Sequence, residues 1–590
     1  MSGGALAGLD EHQLEAVRAL RGPVVVLAGA GTGKTRVITH RIAHGVDTGA
    51  YSPGRVMAVT FTAKAAGEMR GRLRRLGVGG VSARTFHAAA LAQLNFFWPT
   101  LAGDTAPGIV DHKVKLLAHA ADGVGLSPDV ATLRDVASEI EWRKVSMLSI
   151  DEYAAVRPNG VGRLGTDRVV ALQQAYEKLK DERRQLDFED VLLACAGMLE
   201  AEPQVAKAVR EQYRHFTVDE FQDVSPLQNR LLELWLGDRR DLCVVGDASQ
   251  TIYSFAGADA RFLLDFDKRF EGARMVRLET NYRSDAGVLG VANELMRGRP
   301  GALHLSPAPS RDADASGAVP TVTAFEDDRD EARAIAKRIA AQIAGGADPR
   351  HIAVLYRAHA QSAELVAALS DAGIATTVLG GRRFFDMPEV RQAVMELRAA
   401  AVAPLESGLV DTVRDILRSR GLTDDPPEAG GALRDAWEAR AALLRLAEEA
   451  PADTTLRSFT DELTARAKVH DEPALRTVTL ATLHAAKGLE WEHVHLVGMA
   501  EGLLPISYAT TFEQVDEERR LAYVGITRAG RTLSVTWARG VRERQPSRFL
   551  REIGNGTLRA VGASGRPGAA TRSAARPTGS VRDAAERARR

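Results

Sequence analysis

One short segment, residues 28–35, limits what this chain can fold into more than any other part of it. The segment reads AGAGTGKT, follows the apolar run 24–27 (VVVL) and opens onto a helical pattern that begins at Arg36. Glycines let the backbone curl so that its N–H groups point at an anion, and the N-terminus of the following helix adds its positive dipole end. Strand, glycine loop and helix in this order predict a phosphate-binding loop in a parallel α/β sheet.

The residues that close this loop have side chains suited to a nucleoside triphosphate. Lys34 is predicted to reach the β- and γ-phosphates, and the hydroxyl of Thr35 is predicted to ligate Mg²⁺. The alternative is a glycine-rich turn that matches by chance, and the strand-to-helix context disfavours it. The loop predicts that a nucleoside triphosphate is bound, without indicating what its hydrolysis drives.

Length, charge and cysteine content narrow the class of protein. At 590 residues the chain exceeds a single core, and one domain per ~150 residues suggests about four. With 77 basic and 77 acidic residues, no global field attracts nucleic acid or a membrane, so any nucleic-acid surface must be local. Cys195 and Cys243, the two cysteines, stand in apolar runs and are predicted to be core residues. No apolar run approaches ~18 residues and the N-terminus lacks a signal pattern, so we expect a soluble, cytoplasmic protein without a membrane partner.

Short apolar runs recur along the chain, each followed by a helical stretch, as in parallel α/β sheets. The first set comprises residues 24–27, 56–60, a strand ending near 85, 216–218, 242–245 and 275–278. The second set comprises residues 321–324, 352–355, 376–379, 478–481 and 494–497. Two α/β cores are therefore predicted. The intervals 88–214 and 399–473 are helical in pattern and are predicted to be insertions, one in each core.

An acidic motif, VDEFQD at residues 218–223, follows an apolar run in the first core. Asp219 is placed to hold Mg²⁺, directly or through water, and Glu220 to orient and deprotonate the attacking water. An exposed acidic turn is the alternative, and its pairing with a phosphate loop disfavours it.

A further strand-then-loop segment, residues 245–258, carries Gln250, Tyr253 and Phe255. Gln250 is predicted to sense the γ-phosphate. The two aromatic residues are predicted to lie beneath the bases of a single strand, because aromatic faces stack on any base at about 1–3 kcal/mol each. The alternative, that both belong to the core, stays open on these residues alone.

Ten segments in a fixed order carry a family resemblance. They are Gln13 within LDEHQ, residues 28–35, 60–70 (TFTAKAAGEMR), 85–87 (TFH), 219–223, 246–258, 278–284 (LETNYRS), 353–362 (AVLYRAHAQS), 482–490 (TLHAAKGLE) and 517–529 (EERRLAYVGITRA). This ordered set resembles the UvrD/Rep/PcrA group of superfamily 1 DNA helicases, up to about residue 553. The resemblance implies an α/β fold with two RecA-like parallel-sheet cores, each with a helical insertion.

The intervals and the resemblance together predict a domain order. Residues 1–87 and 215–280 form the first core, 88–214 its insertion, 281–398 and 474–555 the second core, 399–473 a reduced insertion, and 556–590 a disordered tail. From residue 559 to 590 there are eight arginines against two acidic residues and almost no large apolar side chain. Such a composition buries too little surface to fold.

The resemblance also implies roles for individual residues. Gln13 would read the adenine edge, Arg36 and Tyr282 would sandwich the ring, and Glu490 would contact the ribose. The implied catalytic set is Lys34, Asp219, Glu220, Gln250, Arg283 and Arg528; the implied ATP contacts are Gln13, Ala28, Gly29, Ala30, Gly31, Thr32, Gly33, Lys34, Thr35, Arg36, Tyr282, Arg283, Glu490 and Arg528; and Thr35 and Asp219 would hold Mg²⁺. The implied contacts to single-stranded DNA are Phe61, Thr85, His87, Tyr253, Phe255, Arg357 and His484.

These assignments imply a motor. ATP would lie between the two cores, which close on it and reopen after hydrolysis, and alternate grips on DNA would become steps. The resemblance implies 3′→5′ movement on single-stranded and tailed duplex DNA in repair or replication, with repair or loading factors as further partners. We expect a nucleoid-associated protein that is a monomer in the absence of DNA.

The chain also departs from its relatives. Residues 253–258 read YSFAGA where relatives commonly have YRWRGA, so the grip on DNA is expected to be weaker or more salt-sensitive. The shortened second insertion most resembles an actinobacterial UvrD-like paralogue. The four-cysteine module and the small helical C-terminal domain of those relatives are not expected in this chain. Two alternatives therefore stand beside a helicase: a translocase that strips proteins from DNA and unwinds only with a partner, and a non-catalytic DNA-binding adaptor, which the intact motifs disfavour. An RNA substrate is less favoured.

Overall fold

The computed structural model describes residues 4–309, 319–380, 385, 387–401, 408–425, 432–448, 450–451, 453–469, 476–540, 543–554 and 556–562. The helices are α1 (Glu11–Arg18), α2 (Lys34–Asp47), α3 (Ala63–Arg75), α4 (Phe86–Ala102), α5 (Lys113–Gly123), α6 (Val130–Val145), α7 (Ile150–Val156), α8 (Thr166–Glu182), α9 (Phe188–Ala201), α10 (Pro203–Gln212), α11 (Pro226–Leu236), α12 (Arg261–Leu264), α13 (Phe266–Arg269), α14 (Ala286–Met296), α15 (Asp328–Ala344), α16 (Ser362–Asp371), α17 (Pro388–Ala400), α18 (Leu409–Ser419), α19 (Ala432–Glu448), α20 (Leu456–Val469), α21 (Phe512–Ile526) and α22 (Arg548–Ile553). The strands are β1 (Val24–Ala28), β2 (Val56–Thr60), β3 (Ser82–Thr85), β4 (Gly108–Ile109), β5 (Gln185–Leu186), β6 (His215–Val218), β7 (Leu242–Gly246), β8 (Arg274–Leu278), β9 (Thr280–Asn281), β10 (Ser306–Pro307), β11 (Thr321–Phe325), β12 (Ile352–Tyr356), β13 (Thr376–Val378), β14 (Val478–Thr482), β15 (Trp491–Leu496), β16 (Ala529–Ala538) and β17 (Arg559–Ala560).

The first sheet has six parallel strands in the order β3-β2-β6-β7-β1-β8. Both faces of β1 are buried: Val25 and Leu27 face one apolar cluster, and Val24, Val26 and Ala28 face another. A strand covered on both sides has a continuous apolar sequence, which explains why β1 was predictable. All six predicted strands of this core are confirmed.

The helices between β3 and β6 divide into two groups by packing. Helices α4, α9 and α10 pack on the first sheet, sharing its cluster through residues such as Phe86, Leu192 and Val209. A separate cluster joins α5, α6, α7 and α8 around Leu117, Ile140 and other side chains. The interval 88–214 is therefore helical as predicted, but only its middle part packs as a body of its own.

The second sheet has seven parallel strands in the order β13-β14-β12-β15-β16-β11-β17. Helices α14, α21 and α22 cover one face and α15 and α16 the other. The five predicted strands of this core are present, and the prediction of two parallel α/β cores is confirmed. β16, a ten-residue strand between β15 and β11, was not predicted.

Two further findings concern the ends of the second core. Helices α17, α18, α19 and α20 form a small cluster of their own, where a reduced helical insertion was expected. The prediction that the tail is unfolded from residue 556 is wrong for its first residues, because β17 pairs with β11 and Leu558 is buried. Residues 563–590 lie outside the described part of the chain.

Two remaining expectations concern the cysteines and membranes. Cys195 and Cys243 are buried free thiols, as predicted, and burial raises the pKa of Cys195 to about 12. Among the described helices, none combines the length and apolarity needed to cross a bilayer.

Candidate functional site

A cavity of about 390 Å³ lies between the two sheets, at the carboxyl ends of the first sheet's strands. Its lining comprises Gly29, Ala30, Gly31, Gly33, Lys34, Thr35, Arg36, Arg72, Glu220, Gln250, Tyr282, Arg283, Gly488, Glu490 and Arg528. Five of these side chains are cationic and two are carboxylates, so the cavity favours a polyanion. Most of the predicted ATP contacts meet here, although they are spread over some five hundred positions of the sequence.

The loop after β1 has the backbone conformation that its glycines predict. Gly31 and Gly33 have φ values of +70° and +87°, which side chains rarely adopt. A Cβ on Gly31 would lie 2.5 Å from Nδ2 of Asn281, which itself donates to the carbonyl oxygen of Ala30 at 2.6 Å. Asn281 thereby fixes the loop to the segment after β8. Sequence reasoning gave this asparagine no role, although it stands next to Tyr282 in a quoted motif.

Lys34 opens helix α2 and has a buried Nζ without a hydrogen-bond partner among the described residues. The closest anionic atom is Oε2 of Glu220, 3.8 Å from Nζ. A buried ammonium group left unsatisfied is costly unless a ligand completes its shell. The site is therefore shaped for an anion directly in front of the loop, and a phosphate group fits this requirement.

The two carboxyl groups after β6, those of Asp219 and Glu220, have pKa values that are shifted in opposite directions. Burial, and then the charge of Glu220, raises the pKa of Asp219 above its usual range. Burial alone would raise the pKa of Glu220 too, but the charges of Lys34 and Lys487 outweigh it and lower that pKa. Glu220 is thus held ionised and available as a base, and Asp219 is a carboxylate whose charge a bound cation would stabilise.

Glu220 also has an unusual backbone conformation. Its φ of +52° and ψ of +42° place it in the left-handed region, which is uncommon for a residue other than glycine. Its N–H donates to Oδ1 of Asp219 at 3.0 Å, and its side chain accepts from Nε2 of Gln222 at 2.5 Å. Such strain costs about 1–3 kcal/mol and persists where it has a purpose. Here it turns the Glu220 carboxylate into the cavity while Asp219 stays buried beneath it.

Gln250 and Arg528 meet across the cavity from opposite sheets. Nε2 of Gln250 donates to Oδ2 of Asp247 at 2.7 Å, and its Oε1 lies 3.5 Å from Arg528. The Arg528 guanidinium donates to the carbonyl oxygens of Val524 at 2.9 Å and Leu489 at 3.0 Å. Burial, and then the charge of Arg283, lowers the pKa of Arg528 from 12.5 to about 9. Arg528 is therefore a rigid buried cation whose charge would be stabilised by an anion.

Arg283 and Glu490 form an ion pair at the rim of the cavity. Nε of Arg283 lies 2.6 Å from Oε2 of Glu490, and NH1 donates to the carbonyl oxygen of Thr527 at 3.3 Å. The Glu490 side chain is 63% exposed, so the pair can open toward a ligand at little cost. Both residues line the cavity.

The predicted adenine contacts divide into two groups. Arg36 and Tyr282 line the cavity, and their side chains are tied to the N-terminal segment, Arg36 by the carbonyl oxygen of Gly8 and Tyr282 by Asp10. Gln13 is buried behind the wall, where its Nε2 donates to the carbonyl oxygen of Thr32 at 3.0 Å. The predicted residues without a surface in the cavity are Gln13, Ala28, Thr32 and Asp219.

Lys487 is the principal residue that sequence reasoning missed. Its Nζ pairs with Asp223 and donates to the carbonyl oxygen of Gln250 at 2.7 Å, so a residue of the second sheet holds two segments of the first. The same ammonium lies 5.0 Å from the centre of the Tyr253 ring. Helix α21 adds to this contact, because Glu517 accepts from the N–H of Ser254 at 2.9 Å and Arg520 donates to the carbonyl oxygen of Thr251 at 2.8 Å. The signal available in the sequence was a basic residue within a recognised motif.

Beside Lys487 lies an aromatic surface formed by Tyr253, Phe255 and His484. Their ring centres are 5.8–6.3 Å apart, and Phe255 is 66% exposed. Burial, and then the charges of Arg357 and Lys487, lowers the pKa of His484 to about 4, so this ring is neutral at physiological pH. The surface therefore offers neutral ring faces rather than charge, as stacking on bases requires. Phe255 is therefore not a core residue, and the alternative that both Tyr253 and Phe255 belong to the core is excluded.

The other predicted DNA contacts are more engaged with the protein. Phe61 is partly buried against the first core, and Thr85 caps α4 by accepting from the N–H of Ala88 at 3.1 Å. His87 contacts the ring of Phe188, and burial lowers its pKa to about 4. Arg357 is held by a two-pronged contact to Glu518, with donor–acceptor distances of 2.8–3.0 Å, and so does not present a free guanidinium.

The geometry first defines a class. A phosphate loop, an acidic strand end and a glutamine belong to one parallel sheet, and two arginines reach the same cavity from the border and body of the other. This arrangement is that of a P-loop nucleotide hydrolase with two RecA-like cores.

Comparison with known families specifies the class further. The UvrD/REP helicase N-terminal domain matches residues 9–271, and the UvrD-like helicase C-terminal domain matches residues 276–402 and 439–540. The chain belongs to the UvrD/REP helicase family.

Individual relatives cover nearly the whole chain. It is 47% identical to the ATP-dependent DNA helicase UvrD2 of Mycobacterium tuberculosis, over 93% of this chain and 82% of that protein. It is 30% identical to DNA helicase II of Escherichia coli (93% and 88%) and 28% identical to the ATP-dependent DNA helicase PcrA of Staphylococcus epidermidis (92% and 86%). The expected likeness to an actinobacterial UvrD-like protein is confirmed.

Proposed function

We propose that this chain is an ATP-dependent DNA helicase and translocase that moves 3′→5′ along single-stranded DNA in repair or replication. One observation carries the proposal. The buried Nζ of Lys34, which has no hydrogen-bond partner among the described residues, faces a cavity that Arg283 and Arg528 also line. Phosphates bound in front of Lys34 would therefore contact both sheets at once, as hydrolysis-driven closure requires. The names of the relatives support the nucleotide and the substrate.

The residues of the cavity divide the chemistry among themselves. Lys34 and the loop N–H groups would bind the phosphates, and Gln250 and Glu220 would position and deprotonate the attacking water. Arg283 and Arg528, which carry planar guanidinium groups, would stabilise the charge that develops on the transferred group. Arg72 lines the same cavity from α3 and adds a cation that sequence reasoning did not assign.

The residues proposed for Mg²⁺ are Thr35 and Asp219. The described residues contain no group of three or more His, Cys, Asp or Glu side chains arranged for a metal, so a resident metal site is not what this cavity provides. A hydroxyl and one carboxylate suit an ion that arrives with the phosphates and keeps several waters. When bound, Mg²⁺ would offset phosphate charge and the unfavourable ionisation of buried Asp219.

On the DNA side, we propose that bases stack on the surface formed by Tyr253, Phe255 and His484. Lys487 touches Tyr253 on one side and Asp223 on the other, and Asp223 accepts from Gln222, which also binds Glu220. A change at the Glu220 carboxylate would thus reach the aromatic surface through direct contacts. Phe61, Thr85, His87 and Arg357 remain proposed contacts of the same strand.

A second candidate is a translocase that removes proteins from DNA and unwinds duplex only with a partner. Two observations favour it. Ser254 and Ala256 stand where relatives commonly have arginine, and Arg357 is already paired with Glu518. Fewer free cations beside the aromatic surface mean fewer phosphate contacts, and hence a grip less able to resist a duplex.

The proposal includes the domain assignment of the sequence analysis, with α4, α9 and α10 packed on the first core. It also includes cytoplasmic, nucleoid-associated localisation, a monomer in the absence of DNA, and repair or loading factors as partners. None of these is needed for the chemistry of the cavity.

One set of assays separates the candidates. ATP hydrolysis is measured with and without oligo(dT), beside strand displacement on 3′-tailed and 5′-tailed duplexes and removal of streptavidin from biotinylated single strands. A helicase displaces the 3′-tailed strand, whereas the second candidate removes streptavidin without displacing a strand. ATP hydrolysis that DNA does not stimulate, or displacement confined to 5′-tailed duplex, would contradict the proposal, and Lys34→Ala is the inactive control.

A further inference from the structure

Away from the cavity, three hollows merge along the outer edge of the first sheet. β3 is the last strand of that sheet, and among the described strands it pairs only with β2. Gln212 lines all three hollows, which measure about 520, 360 and 600 Å³. Arg84 and Tyr213 line two of them, so the hollows form one groove, here named the β3-edge groove. None of its residues lines the nucleotide cavity.

The middle hollow of the β3-edge groove is an apolar pocket. Its walls include Ala89, Ala92, Phe96, Phe97 and Val209. Phe96 is 74% exposed, the highest exposure of any large apolar residue in the described chain. An exposed concave apolar patch with polar residues at its rim is typical of a site that receives an apolar side chain.

The rim of the β3-edge groove is basic. Arg55, Arg70 and Arg84 line it, whereas Glu211 is its one acidic residue among the lining residues described. Within the described chain none of the three arginines has a carboxylate within ion-pair distance. Arg70 instead donates to the carbonyl oxygen of Ala83 on β3 at 2.5 Å, which fixes its guanidinium at the strand edge. Unpaired cations around an apolar pocket are complementary to an acidic ligand with an apolar anchor.

We propose that the β3-edge groove binds an extended acidic peptide segment of a partner protein, with one large apolar side chain in the pocket between Ala92 and Phe96. The acidic residues of the segment would pair with Arg55, Arg70 and Arg84. The chain's own C-terminal sequence is a poor occupant, because its many arginines would be repelled by the rim.

Single-stranded DNA also fits the groove less well than a peptide. Successive bases need ring faces that lie roughly parallel, but the rings of Phe96 and Phe97 stand at 88° to each other with centres 4.8 Å apart. Apart from Tyr213, the remaining apolar walls of the pocket are alanine and valine side chains, which enclose a side chain rather than support a base. The observations therefore favour a peptide over DNA.

The test measures fluorescence anisotropy with the full chain and a labelled peptide of about ten residues, roughly half of them acidic, with a single phenylalanine. Arg84→Glu reverses a rim charge, and Ala92→Trp fills the pocket. We expect each to weaken binding by about tenfold or more, and replacement of the peptide's phenylalanine by serine to have a similar effect. The matched control is Arg74→Glu, an exposed arginine of α3 outside the groove, which should leave the dissociation constant nearly unchanged.

Three outcomes would overturn the proposal. The first is no saturable binding of the acidic peptide up to ~1 mM. The second is equal binding of a peptide in which lysines replace the acidic residues, or equal binding to Arg84→Glu. The third is that Arg84→Glu weakens the binding of a labelled oligo(dT) as much as the binding of the peptide, which would assign the groove to DNA. ATP hydrolysis in the absence of DNA should be unchanged in all variants and reports that each is folded, and if Ala92→Trp loses it, Arg84→Glu alone decides the outcome.

Discussion

The position of Arg528 leads to a prediction whose size follows from the structure. Replacement by lysine keeps the positive charge but loses the planar fork that donates to the carbonyl oxygens of Val524 and Leu489. The ammonium group would be held less rigidly and could not contact two phosphate oxygens at fixed geometry. Arginines that face a transferred phosphoryl group contribute ~10³–10⁵ in rate. Because Arg283 remains on the same wall, we expect the lower end, a ~10³-fold fall in kcat or about 4 kcal/mol of activation free energy.

Nucleotide affinity should respond far less than rate. Lys34 and the loop N–H groups, which bind the phosphates, do not contact Arg528, so the dissociation constant for ATP should change by less than about tenfold. The two lost hydrogen bonds cost roughly 1 kcal/mol of stability each, and thermal unfolding reports this loss separately. The matched control is Arg531→Ala, an exposed arginine three positions along the chain whose side chain pairs only loosely with Glu492, 3.5 Å away.

The assay is steady-state ATP hydrolysis with saturating oligo(dT), beside nucleotide binding at equilibrium and thermal unfolding. If Arg528→Lys retains kcat within about threefold of the parent, the transition-state role belongs to another residue. A variant that loses ATP affinity and kcat equally would show that Arg528 binds ATP in the ground state. That result would contradict a role confined to the transition state.

Three further predictions concern Lys34 and His484. Lys34→Ala should abolish ATP hydrolysis while single-strand affinity stays close to that of the parent, and retained turnover would remove the loop from the catalytic site. His484→Phe should preserve the slope of log Kd against log salt, because this neutral ring contributes no charge; a slope reduced by about one would show that it binds a phosphate as a cation. The third concerns acid stability: burial keeps the native pKa of His484 at about 4, below the ordinary value of 6.5, so the native state binds fewer protons than the unfolded one and stability falls as pH drops through this window. The Tm of the parent should therefore fall more between pH 7.5 and 5 than that of His484→Phe, and equal falls would mean that His484 titrates normally.

Strands such as β1 and β7 could be predicted because each has an uninterrupted apolar run. β16 was not predicted because its buried positions include two polar residues, Ser534 and Thr536, of a type that is common in loops. Their partners lie about two hundred residues away: Ser534 accepts from Arg338, and Thr536 donates to the buried carboxylate of Glu331. Buried polar side chains of this kind become intelligible only once their partners are known.

In the candidate site, too, some residues could be predicted from local sequence patterns and others could not. Lys34, Asp219 and Glu220 could be assigned because each stands in a local pattern whose chemistry is visible in a few residues. The contact between Lys487 and Asp223 joins positions 264 residues apart, and neither residue's neighbours indicate the other. The ion pair between Arg357 and Glu518 could not be predicted either, because it depends on how α21 lies against β12. Sequence patterns predicted most of the groups that line the cavity, but not the side chains that hold those groups in place.

The place of β16 in the second sheet has a consequence for synthesis of the chain. The first sheet has all its strands once residue 278 has been made, whereas β16, which separates β15 from β11, ends only at residue 538. N-terminal parts of a chain fold first as it leaves the ribosome. For nearly half of its synthesis, then, the nascent protein carries a finished phosphate loop without Arg528, the buried arginine that would act on what the loop holds. A chain cut short before β16 would keep the phosphate loop but lack the strand that separates β15 from β11.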